Sequence, residues 1–137
     1  DNGEDETDGV CTANVEAITY TNITSCGHWE SGVLSPDEVK YFKFKSSLNG
    51  GKTINFDACG STADTILQIW KESEFTNSAS TPIAENDDNK YNSCPDNYLA
   101  SYLNFTADST YSGDYILGIE LYSDSVDFGY VIAVDCE

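Results

Sequence analysis

The chain is predicted to be all-β: an antiparallel β-sandwich of jelly-roll type with about nine short strands. Three observations carry that prediction. Runs rich in Val, Ile, Thr, Tyr and Phe alternate with period two. Turn-forming clusters separate the runs at short, fairly regular intervals. No window carries the apolar stripe of an amphipathic helix.

In chain order the strands fall near 15–22 (VEAITYTN), 28–34 (HWESGVL), 39–46 (VKYFKFKS), 52–59 (KTINFDAC), 64–71 (DTILQIWK), 81–85, 99–107 (LASYLNFTA), 114–122 (DYILGIELY) and 128–135 (FGYVIAVD). The breaks are Ser35-Pro36-Asp37, Asn49-Gly50-Gly51, Gly60-Ser61 and Ser112-Gly113, all built from residues that favour turns. Alternation places Phe42, Phe44, Ile54, Phe56, Leu67, Ile69, Leu103, Phe105, Leu117, Ile119, Tyr130, Ile132 and Val134 on inner faces. Residues 1–10, which open with DNGEDETDG, read as an acidic flexible leader, and residues 11–137 as one sandwich domain.

Charge narrows the function. Asp and Glu number 24 against 6 lysines, with no arginine, for a formal charge of −18. A nucleic-acid partner is excluded, because displacing phosphate counterions takes clustered cations. Attraction to an anionic membrane fails for the same reason, and no apolar stretch approaches the ~20 residues that span a bilayer. A content of 39% hydrophobic residues is too high for an acidic disordered chain.

Five cysteines, at 11, 26, 59, 94 and 136, are dispersed without a C-x-x-C pair, and His28 is the single histidine. That pattern disfavours zinc and points to disulfides in an oxidising compartment. Sequons at Asn22-Ile23-Thr24 and Asn104-Phe105-Thr106 agree with secretion, and the phase of Leu103 and Phe105 turns Asn104 to solvent. Beginning at Asp1, the sequence reads as a mature secreted product or a piece cut from a longer one. An odd number of cysteines leaves one thiol unpaired or bonded to another chain.

Tyr41-Phe42-Lys43-Phe44, Asp57-Ala58-Cys59-Gly60, Asp64-Thr65-Ile66-Leu67, Ala84-Glu85-Asn86-Asp87-Asp88 and Gly113-Asp114-Tyr115-Ile116-Leu117-Gly118-Ile119 follow one another in that order. This succession resembles the bacterial pre-peptidase C-terminal domain family over roughly residues 11–135. The resemblance implies a jelly-roll sandwich without catalytic activity, of a kind that accompanies secreted proteases or occurs in surface proteins. Some such domains bind collagen or polysaccharide, and some bind calcium. It also implies a Cys59–Cys94 disulfide, whose ~35-residue loop is worth ~3–4 kcal/mol in the chain-entropy model. Of the remaining three cysteines, Cys136 shares the inward phase of Ile132 and Val134. That leaves Cys11–Cys26 as the expected pair and Cys136 as the unpaired or intermolecular thiol, with the other two pairings open.

Candidate chemistry is sparse. Loop 85–89 (ENDDN) with Asp64 and Asp96 offers oxygen ligands suited to calcium, with Asp64, Asp87 and Asp88 as the expected set. The competing role for Asp87 and Asp88 is to bond backbone N–H groups in a turn. No organic cofactor is expected. His28 has Ser25, Ser31 and Asp37 nearby in sequence but no nucleophile elbow, so catalysis is not expected. Aromatic residues at loop or outward positions, Trp29, Trp70, Tyr91, Tyr98, Tyr102 and Tyr122, suit a sugar-binding or protein-binding surface. The expected function is that of a secreted extracellular glycoprotein, structural or adhesive, that assembles with copies of itself or docks on another extracellular protein. The alternative is a module that binds polysaccharide or collagen.

Overall fold

Each alternating strand has one face to bury, and pairing two such sheets face to face buries all of them at once. A computed structural model describes residues 18–62, 64–77, 79–87, 100–121 and 127–137. Among them are β1 (Tyr20–Ile23), β2 (Trp29–Leu34), β3 (Val39–Lys45), β4 (Ile54–Asp57), β5 (Thr65–Lys71), β6 (Ala84–Asn86), β7 (Tyr102–Phe105), β8 (Asp114–Leu121) and β9 (Phe128–Cys136). A single 3-10 turn, Glu72–Glu74, follows β5. Every expected strand has its counterpart, and the ends differ by a few residues. Residues 1–17, which hold the acidic leader, lie outside the described residues.

The strands form a five-stranded sheet ordered β1-β3-β8-β5-β6 and a four-stranded sheet ordered β2-β9-β4-β7. Neighbours run antiparallel except β1, which adds to β3 in parallel, with Tyr20 opposite Tyr41 and Ile23 opposite Phe44. Thirteen residues were expected on inner faces, and all thirteen belong to the one core cluster between the sheets. Phe44 of β3 meets Phe56 of β4 at 5.2 Å and Phe105 of β7 at 6.1 Å between ring centroids, so aromatic contacts cross directly from sheet to sheet. At the Asn49-Gly50-Gly51 turn, the two glycines adopt φ of 57° and 83°, where a side chain would be strained.

A second apolar cluster lies on the outer side of the five-stranded sheet. Trp70, Phe75 and Ile116 are buried there beside Ile18, Tyr20 and Tyr41. The segment after β5 folds back over the sheet. Phe75 packs 4.9 Å from Trp70, and the indole Nε1 donates a 2.6 Å hydrogen bond to the Ser80 carbonyl. Gly118 lies beneath that indole, and a Cβ there would come within 3.0 Å of the ring.

The disulfide pairing corrects the expectation. Cys26 bonds Cys136, not Cys11, and Cys136 is therefore not the unpaired thiol. The reason is register. β2 and β9 pair with Trp29 opposite Ala133, and the ladder continues through hydrogen bonds from Gly27 N–H to Val134 O and from Val134 N–H to His28 O. Three residues further on, Cys26 and Cys136 face each other with 5.6 Å between their Cα atoms. Cys59 is also disulfide-bonded. Its expected partner, Cys94, lies outside the described residues, as does Cys11.

The Cys26–Cys136 bond closes a loop of sequence separation 110. A Cys26→Ser/Cys136→Ser variant is expected to lose about 4–5 kcal/mol of unfolding free energy. Urea denaturation measures this, and a loss below about 1 kcal/mol would show that the sheet pairing alone holds β2 against β9.

Candidate functional site

The two outer faces of the sandwich differ. The five-stranded sheet carries a buried apolar cluster under Phe75 and Ser80, whereas among the described residues the outer face of the four-stranded sheet carries none. Alternation builds that bare face. With Leu34, Tyr130, Ile132, Val134, Ile54, Phe56, Leu103 and Phe105 turned inward, their strand neighbours must point out. From β2 these are Trp29, Ser31 and Val33, and from β9 Gly129, Val131, Ala133 and Asp135. From β4 they are Asn55 and Asp57, and from β7 Tyr102 and Asn104.

Register aligns these residues in rows. Trp29 sits opposite Ala133, Ala133 opposite Asp57, and Asp57 opposite Tyr102, so one row crosses all four strands from indole to phenol. Three inter-strand steps separate the two aromatics, about 14 Å. The next row runs Asp135, Asn55, Asn104. Trp29 is 63% exposed and Val33 66%, and both point outward from edge strand β2, about 13 Å apart along it with Ser31 between. Two large exposed apolar side chains on one sheet face make that face the candidate contact surface.

Carboxylates surround the phenol end. Burial first, then the charges of Asp57, Asp135 and Glu137, push the Tyr102 hydroxyl above its ordinary pKa. Asp57 Oδ1 accepts a 2.7 Å bond from the Cys59 N–H. The Asn55 Oδ1 is buried and has no hydrogen-bond partner among the described residues.

A polar cluster lies under the other end of β2. Glu30 turns inward and accepts a 2.9 Å bond from the Tyr130 hydroxyl, with Lys40 Nζ 3.4 Å away and His28 Nε2 3.8 Å away. Burial first, then the bond to Glu30 and its charge, raise the Tyr130 pKa. The Tyr130 ring lies against Gly32, where a Cβ would come within 2.8 Å of it. An inward charge on an edge strand disfavours addition of a further strand there. His28 stands edge-on to Phe42, ring centroids 6.1 Å apart, as part of this cluster.

The sequence-derived residues divide. Trp29 and Tyr102 both lie on the outer face of the four-stranded sheet, at opposite ends of one row. Trp70 does not: it is 1% exposed, buried under the 71–80 segment. Its phase points away from the sandwich core as expected, but that side of the sheet is covered. Tyr91, Tyr98 and Tyr122 lie outside the described residues. Asn22 on β1 and Asn104 on β7 are both exposed and both sit on edge strands. Asp64 precedes β5 and Asp87 follows its antiparallel partner β6, so the fold brings both to one end of that pair. There the Asp87 carbonyl accepts a 2.8 Å bond from Ser101 Oγ, while Asp88 lies outside the described residues. Among the described residues no group of three or more His, Cys, Asp or Glu side chains is placed to hold a metal ion. Sequence reasoning passed over Val33 and Asp57. Val33 shares the phase of Trp29 and was readable, whereas the place of Asp57 in the row depends on strand order.

A cavity of about 460 Å³ opens at the end of the five-stranded sheet, lined by Ile23, Phe44, Leu48, Lys43, Lys45 and Asp114 among others, with Asn22 at its wall.

Fold and site together define a β-sandwich domain with one covered and one open outer face. No protein-family model matches the chain, and no curated protein sequence does. Solved structures share the fold. The pre-peptidase C-terminal domain of a collagenase from Bacillus anthracis matches with a TM-score of 0.57 at 19% identity, over 85% of this chain and 95% of that domain. PliG from Aeromonas hydrophila, a periplasmic inhibitor of g-type lysozyme, matches at 0.59 with 11% identity, over 87% of this chain and 96% of its own. PliG from Salmonella Typhimurium matches at 0.53 with 15% identity, over 88% and 100%. The resemblance to pre-peptidase C-terminal domains thus holds at the level of the fold.

Two outcomes follow from these environments. Trp70→Ala is expected to destabilise the chain by about 3–5 kcal/mol, and Trp29→Ala by no more than about 0.5 kcal/mol, as measured by urea denaturation. Tyr130 titrates at higher pH folded than unfolded, so its contribution is intact below the unfolded value of 10.0 and is lost as pH rises beyond it. Between about pH 9 and about pH 11 the melting temperature is expected to fall less in Tyr130→Phe than in wild type. Equal falls would remove Tyr130 as the source.

Proposed function

We propose that this chain is a non-catalytic extracellular module that docks on another extracellular protein through the outer face of its four-stranded sheet. The observation that carries the reading is the exposure of Trp29 and Val33, two large apolar side chains on the same outward face of edge strand β2. Trp and Tyr concentrate binding energy at protein interfaces, because a rigid ring brings large area at low entropic cost. The Cys26–Cys136 disulfide and the disulfide-bonded Cys59 accord with an oxidising, extracellular setting. Among proteins of this fold, PliG inhibits a lysozyme and another is a domain of a collagenase, which accords with a role exercised through association. Docking on a partner is favoured over self-assembly. A charge of −18 repels a second copy, and the inward Glu30 guards the β2 edge.

A second reading rests on the Trp29-to-Tyr102 row, whose two aromatics with Asp57 between them suit the stacking and hydroxyl contacts of a polysaccharide chain.

The test immobilises wild type and a Trp29→Ala/Val33→Ser variant and exposes both to the extracellular fluid of the source. A protein held by wild type and lost by the variant is the expected result. Equal capture by both, or capture of no protein, overturns the docking face. A polysaccharide held by wild type alone selects the second reading.

A further inference from the structure

Resting on the docking face proposed above, we infer that the face is built for a basic protein surface, one that presents arginine or lysine beside an apolar patch. The argument begins with where the cations are. None of the four strands of this sheet contains a lysine, and the chain has no arginine. The lysines that lie on strands, Lys40, Lys43, Lys45 and Lys71, all belong to β3 and β5 of the other sheet. Among the strand residues of the open face the charges are therefore all negative. Asp57 and Asp135 project from it.

The charged groups of the face, Asp57 and Asp135, are acceptors only. Carboxylates accept and do not donate at neutral pH. A partner that satisfies these groups must bring N–H donors, and a charged donor bonds a carboxylate about twice as strongly as a neutral one. The aromatic end agrees. An exposed indole is the best ring for a cation–π contact, and guanidinium is its commonest protein partner. Val33, Val131 and Ala133 supply the apolar ground against which the carbon stem of an arginine or lysine packs. A basic partner is also steered in by the field of the whole chain, which repels an anionic polymer.

The experiment selects a random-peptide display library on the immobilised wild-type chain after depletion on the Trp29→Ala/Val33→Ser variant. The expected binders are rich in Arg or Lys next to aromatic or aliphatic residues. Their dissociation constants are expected to rise at least about tenfold for Trp29→Ala and for Asp57→Asn/Asp135→Asn. A charge-matched control, Glu74→Gln/Glu85→Gln, removes two exposed acids from elsewhere and should leave the constant within about twofold. Binding should weaken steeply as ionic strength rises from about 0.01 M to about 1 M, where the Debye length shrinks from about 30 Å to about 3 Å. Neutral or acidic binders, or equal weakening by the control pair, overturn the inference. A neutral glucan or soluble collagen held by wild type but not by the depleting variant, with no loss in 1 M salt, would keep the face and reject the basic partner. If no peptide survives depletion on that variant, the docking face itself fails.

Discussion

The ring of Phe44 sits where the two sheets meet, and the arrangement of the rest follows from its position. It contacts Phe56 and Phe105 across the sandwich and stacks on Tyr115 within its own sheet at 5.4 Å. A side chain held from both sides fixes the phase of four strands, because moving any of them by one residue would turn its whole inner set outward. Once the inner set is fixed, so is the outer one. The exposure of Trp29 and the burial of Trp70 are then decided by what lies over each outer face. A glycine at 118 leaves room for the indole of Trp70 against β8, and Phe75 packs over it.

The electrostatics follow the same division. Lys43 pairs with Glu72 at 2.9 Å, Lys71 with Asp108 at 3.4 Å and Lys40 with Glu30 at 3.4 Å, so these cations are matched within the chain. Each such pair adds little stability where it is partly exposed. Their effect is spatial: they neutralise Glu72 and Asp108 around the five-stranded sheet and the inward Glu30 of β2, and leave Asp57 and Asp135 of the four-stranded outer face without a lysine partner among these pairs. A net charge of −18 repels further copies of the chain and attracts opposite charge.

What could be read from the amino-acid order was whatever alternation encodes. Phe42 and Phe44, or Tyr130, Ile132 and Val134, announce their inward face without reference to any other strand. Pairing is different, because it depends on which strand lies beside which. Alternation says nothing of direction, so the parallel addition of β1 to β3 was not visible. Cys136 was correctly placed inward, yet its partner could be found only by knowing that β2 lies against β9 in a register that carries Cys26 opposite it. Trp70 misled for a related reason. An outward phase means solvent only if no segment crosses above, and the crossing segment bears a short turn whose path no period reveals. The open face was half legible: Trp29 was readable from phase, whereas its alignment with Asp57 and Tyr102 exists only in the assembled sheet.

The position of the Cys26–Cys136 bond also sets how the domain answers a mechanical pull. The bond encloses β2 through β9 in one covalent loop and leaves β1 outside it. Tension applied along the backbone from both sides passes from residue 26 to residue 136 through sulfur and bypasses the eight strands between. Among the described strands, only β1 can be peeled away by such a force, and peeling its four residues from β3 lengthens the chain by little more than ten ångströms or so. A load carried along the chain would therefore lengthen the domain briefly and then be held, with the four-stranded sheet still intact.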